Sequence, residues 1–112
     1  QFHTDDEKDP WLCIEFKQHE IKPTHYTIRS GTDSDNPKSF TFEGSNDKKE
    51  WKILDKENEI NYLKDNLSVH TFSISTQTNQ SFKYLRLHLT GNNWCDRKRL
   101  QISSIEIFGD IF

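Results

Sequence analysis

The chain is 112 residues long, enough for one domain with its own core and too short for two of ordinary size. Its 15 Lys and Arg stand against 18 Asp and Glu, a formal net charge of -3, which excludes a broadly basic protein that holds nucleic acid or an anionic membrane by clustered positive charge. Met and Ala are absent, so the core must come from Ile, Leu and Phe; with the single Val these make up about 24% of the chain, above the roughly 20% below which chains stay disordered.

Gln1 in place of a starting Met reads as a piece of a longer polypeptide, a single domain over residues 1–112. No apolar run reaches the roughly 18 residues of a membrane span, and no signal-peptide core is present. Residues 4–9 hold four carboxylates, Asp5, Asp6, Glu7 and Asp9. Trp11-Leu12-Cys13-Ile14-Glu15-Phe16 then alternates, with Leu12, Ile14 and Phe16 on one face, which predicts a strand. His25-Tyr26-Thr27-Ile28-Arg29 repeats the pattern after Lys22-Pro23. Residues 30–38 read as a loop because Gly31, Asn36 and Pro37 break regular structure. Phe40-Thr41-Phe42-Glu43 and Trp51-Lys52-Ile53-Leu54 read as a hairpin joined through residues 44–50.

Residues 55–68 are polar and poorly periodic, a long connection expected to contain a helical turn. Residues 69–74 predict a strand with His70, Phe72 and Ile74 in phase. In Phe82 to Leu89 the residues Leu85, Leu87 and Leu89 point inward and Tyr84, Arg86 and His88 outward. Residues 90–99 form a loop of both charge signs, and the last strand, 100–108, changes phase at Ser103-Ser104, as a β-bulge would require. Seven short strands separated by turns argue for an all-β antiparallel sandwich.

The sequence is poor in catalytic constellations. It has no Gly-rich phosphate loop, no G-x-S-x-G elbow and no C-x-x-C pair, and its five histidines stand apart without zinc-ligand spacing. The carboxylates of residues 4–9 have a density that suits Ca²⁺ but not the spacing of an EF-hand, so a solvated acidic loop is the preferred reading and no cofactor is expected. Trp94-Cys95-Asp96-Arg97-Lys98-Arg99 places an aromatic ring beside three basic residues, a combination suited to anionic or aromatic ligands. The competing reading is a tryptophan that covers one end of the sandwich. Cys13 reads as a small buried thiol, and Asn66-Leu67-Ser68 and Asn79-Gln80-Ser81 are sequons that matter only in a secreted protein.

In its order of segments the chain resembles the discoidin domain, the coagulation factor 5/8 type C family. The residues that carry the resemblance are Trp11 to Phe16, Pro23-Thr24-His25-Tyr26-Thr27-Ile28-Arg29, Pro37-Lys38-Ser39-Phe40, Gly44-Ser45-Asn46-Asp47 with Trp51 after it, Tyr84-Leu85-Arg86-Leu87, and Ser103-Ser104-Ile105-Glu106-Ile107-Phe108-Gly109. The resemblance implies a galactose-binding-like jelly roll that lacks part of the usual N-terminal segment. It also implies ligand recognition by loops at one end, here residues 3–10, 30–38 and 90–99. The Pro23 to Arg29 run is most similar to intracellular members, which implies a cytoplasmic setting. Lys48 stands where the family usually has glycine.

The three loops together carry a net charge of -2, which argues against phosphatidylserine binding. The expected function is therefore a non-catalytic interaction module that recognises a protein partner, or another part of its parent chain. Its expected ligand-facing residues are Asp5, Asp6, Glu7, Asp9, Asp33, Asp35, Asn93, Trp94, Arg97 and Arg99. The alternative is a carbohydrate-binding module with Trp94 as its stacking platform; neither nucleic acid nor membrane is an expected partner.

Overall fold

Apolar residues at every second position of a strand need a second apolar layer to cover them. In the computed structural model, which describes residues 2–3, 10–76 and 78–112, two four-stranded antiparallel sheets provide it for each other. The strands are β1 (Phe2–His3), β2 (Trp11–Glu15), β3 (Ile21–Ser30), β4 (Phe40–Ser45), β5 (Lys52–Glu57), β6 (Val69–Ser73), β7 (Tyr84–Leu89) and β8 (Gln101–Ile111). One sheet runs β1-β8-β3-β6 and the other β2-β7-β4-β5, and every pairing is antiparallel. The all-β jelly-roll sandwich expected from the sequence is the observed fold.

The inward faces meet in an aromatic layer. Tyr26 of β3 stacks on Phe42 of the opposite sheet at 4.2 Å between ring centroids and on Phe72 of β6 at 5.0 Å. Leu85, Leu87 and Leu89 of β7 complete the layer, and each such buried side chain contributes roughly 1.5–3 kcal/mol. The hydroxyl of Tyr26 donates to Asp55 Oδ2 at 2.5 Å, so the one polar atom that this ring buries is satisfied. Burial, followed by this bond, pushes the phenol well above its ordinary range.

Three local features set the path of the chain. Arg29 pairs with Ser104 but Ser30 with Ile102, so the register slips at Ser103, whose hydroxyl donates to Ser30 O at 2.8 Å. This bulge is the phase change visible in the sequence. Farther along β8, a Cβ on Gly109 would lie 2.1 Å from Lys22 O, which restricts the position to glycine. In the β4–β5 turn Lys48 adopts φ 63°, the left-handed conformation that glycine tolerates best, and its amide donates to Ser45 Oγ at 2.9 Å.

The connection after β5 departs from expectation. β5 continues to Glu57, and residues 58–68 form turns with no helix. The reason is that this segment is held from outside itself. Its Leu63 is fully buried, its Ile60 amide donates to Lys38 O at 2.9 Å, and its Leu67 amide donates to Gly31 O at 3.2 Å. Partners on neighbouring loops replace those a helix would supply internally.

Candidate binding surface at the loop end

β3 ends opposite the beginning of β8, and β4 begins opposite the ends of β5 and β7. The topology therefore brings residues 31–39, 58–68 and 90–100 out at one end of the sandwich, two of them segments expected to recognise ligand. Asp5, Asp6, Glu7 and Asp9 lie outside the described residues.

The loops are stitched together by side-chain amides. Asn93 Oδ1 accepts from the amides of Cys95 at 2.8 Å and Arg97 at 3.1 Å, and its Nδ2 donates to Arg99 O at 2.9 Å and Asp35 Oδ1 at 3.1 Å. Asn36 Oδ1 accepts from the Gly31 amide at 2.8 Å, while its Nδ2 reaches Lys64 O at 3.1 Å and Asn66 Oδ1 at 3.0 Å. Asn66 in turn accepts from the Ser34 amide and donates to Thr32 O, each at 3.1 Å. Turns without ladder partners have to satisfy their buried backbone groups in this way. The amide of the first sequon is therefore committed to the frame.

At the centre lies Asp35, 1% exposed. Its carboxylate accepts from Arg97 Nε at 3.0 Å and Nη2 at 3.2 Å, with Arg99 Nη1 at 3.5 Å. Asp35 and Asn93 thus lie beneath the surface and position what is above them. Asp33 is exposed and fixed by Gln101, whose Nε2 donates to Asp33 Oδ2 at 3.0 Å. Arg97 is exposed and Arg99 half-buried.

Trp94 is half-buried. Its amide donates to Asn36 O and its Nε1 to Ile60 O, each at 3.1 Å, and the ammonium groups of Lys38 and Lys64 both lie 4.8 Å from its ring centroid. The tryptophan both covers the end of the sandwich and carries cations at the rim. Single-sequence reading missed these lysines, because nothing local says that residues 38 and 64 approach residue 94.

A second polar cluster, also missed, lies on the outward face of β4 and β7. Glu43 accepts from Arg86 Nε at 3.1 Å and Nη2 at 2.8 Å, lies 3.2 Å from His88 Nδ1, and accepts from Thr41 Oγ1. Burial acts to raise the Glu43 pKa, but the hydrogen bonds of Thr41, Arg86 and His88 and the Arg86 charge outweigh it and hold the carboxyl below its usual range. Arg86 also stacks on Trp51, 4.1 Å from the ring centroid. The alternation of β7 revealed that Arg86 and His88 point outward but not what stands beside them.

Two facing antiparallel sheets with a loop-built end define a galactose-binding-like jelly roll. The chain belongs to the Sad1/UNC-like C-terminal family, whose profile matches residues 2–111. This is a family of the discoidin-like type, at which level the resemblance read from the sequence holds. Among solved structures, a CBM32 module of Clostridium perfringens in complex with GalNAc-β-1,3-galactose is similar at 15% identity and TM-score 0.71, over 96% of this chain and 74% of that one. A CBM32 module from a family 31 glycoside hydrolase of Clostridium perfringens is similar at 16% identity and TM-score 0.72, again over 96% and 74%. CBM62 from Clostridium thermocellum Xyl5A is similar at 14% identity and TM-score 0.65, over 90% and 68%. At these identities the likeness is one of fold. No curated protein matches the chain.

Proposed function

We propose that this domain is a non-catalytic recognition module that binds a protein partner, or another segment of its parent chain, through the loop end. The observation that carries this reading is Trp94 with the Lys38 and Lys64 ammonium groups at its ring, on a loop that the buried Asp35 ties down through the exposed Arg97. A rim whose loops are already cross-linked by the Asn36 and Asn93 hydrogen bonds has less freedom to lose on binding. Its exposed groups are of both signs, with Lys64, Arg97 and Lys98 beside Asp33 and Asp96, which suits the mixed surface of a protein better than a uniformly charged lipid or nucleic acid. A cytoplasmic setting belongs to the same proposal, supported by free thiols at Cys13 and Cys95 and by the engagement of Asn66.

The test is affinity purification with the wild-type domain and with Lys64→Glu/Lys98→Glu, both exposed positions whose reversal leaves the Asp35 frame intact. Partners enriched by the wild type are expected to fall at least tenfold; identical partner lists would overturn the reading. The carbohydrate reading is favoured by the similar modules, one of them solved with a disaccharide. Glycan-array binding abolished by Trp94→Ala, with the β-sheet circular dichroism spectrum of the folded domain retained, would put it first.

A further inference from the structure

We infer that the outward face of the β7-β4-β5 part of the sheet is a second binding site, built for an extended acidic peptide segment of a partner protein. Outward positions of an antiparallel sheet are normally solvated. Here the side chains of Glu43 and Arg86 are only 6% and 18% exposed, because they pair with each other and Trp51 lies over the guanidinium. Together with Thr41 they form the floor of an open cleft of about 630 Å³, bordered by His88 on β7 and by Ile53 and Lys56 on β5, with Lys49 and Trp51 at one end.

The chemistry of this cleft selects for acid. Its only carboxylate among the lining residues, Glu43, is neutralised by Arg86 and further hydrogen-bonded by Thr41 and His88. Lys49 and Lys56 are exposed cations without an ion pair among the described residues, so the cleft carries excess positive charge. Arg86 Nη1 makes no hydrogen bond among the described residues and is left for a ligand oxygen.

The shape selects for an extended chain. Lys56 lies level with Thr41, while Lys49 belongs to the turn beyond Ser45, so the two lysines are anchored about 13 Å apart along the strand rather than side by side. That span corresponds to about four residues of extended peptide. Ile53, half exposed between them, offers an apolar contact for the same ligand. A sugar fits less well, since the Trp51 ring that would carry it already holds Arg86.

Fluorescence anisotropy with labelled heptapeptides tests the assignment. One set has two central Asp or Glu residues flanked by Leu, and a matched set has Asn and Gln in their place. The acidic set is expected to bind the wild-type domain at least tenfold more tightly than the neutral set, and Lys49→Glu/Lys56→Glu to abolish that preference at an unchanged unfolding midpoint. Lys64→Glu/Lys98→Glu at the loop end is expected to leave it intact, which separates this site from the one proposed above. Equal binding of the two sets, insensitivity to the Lys49 and Lys56 reversal, loss only with the loop-end reversal, or glycan binding removed by the Lys49 and Lys56 reversal would each overturn it.

Discussion

Asp35 and Glu43 are both buried carboxylates gripped by arginine, yet they hold different kinds of structure. Asp35 joins residues 35, 93, 97 and 99, which belong to two loops with no strand ladder between them. Glu43 joins β4 to β7, strands already paired from Phe40↔Leu89 to Ser45↔Tyr84. The first pair creates the shape of its region, whereas the second decorates a shape the backbone already has. A buried ion pair is thus a scaffold where backbone bonds are sparse and a surface element where they are dense.

The largest effect expected from breaking this contrast is on stability. Glu43→Ala leaves Arg86 largely buried and unpaired, at a cost of about 3–5 kcal/mol in urea unfolding. Asp35→Ala costs less, about 2–3 kcal/mol, because Arg97 is half exposed and rehydrates. Hydrogen exchange sharpens the comparison. Asp35→Ala should expose the amides of Cys95 and Arg97 while the β4–β7 ladder keeps its protection, and a uniform loss across both regions would contradict the scaffold role.

A smaller effect comes from a third carboxyl, on β5. Burial, then its hydrogen bond with Asp55, raises Glu57 from 4.5 to about 7. The folded state therefore holds a proton that the unfolded chain releases earlier. The stabilisation is complete below about pH 4.5 and is lost as pH rises through about 7. Glu57 is only half-buried, so solvent screening reduces the effect to about 1 kcal/mol. Glu57→Gln, which donates at every pH, should be more stable than wild type at pH 8 by about that amount and equal to it at pH 4.5. A constant difference between the two proteins across this range would refute the assignment.

The smallest concerns Lys48. Replacement by Gly relieves the left-handed backbone at φ 63° but gives up the approach of the Lys48 ammonium to Tyr84, 4.9 Å from the ring centroid. A net gain of about 0.5–1 kcal/mol is expected in thermal unfolding.

Much of this was legible in the chain itself. Leu85, Leu87 and Leu89 announce their inward face, the break at Ser103-Ser104 announces the bulge, and Lys48 marks an unusual turn, because period, phase and backbone preference are properties of neighbouring residues. Residues 58–68 misled because their determinants are remote: Lys38 O holds Ile60, and Gly31 O holds Leu67. The candidate surfaces divide in the same way. Composition and spacing alone pointed to Trp94 and Arg97 as a cation-aromatic loop. Only the tertiary structure decided that Asp35 and Asn93 sink beneath that loop, that Lys38 and Lys64 join it, and that Glu43, Arg86 and Trp51 meet on an outward face. Those pairings depend on strand order and register, which arise from how two sheets close over one core rather than from any stretch of sequence.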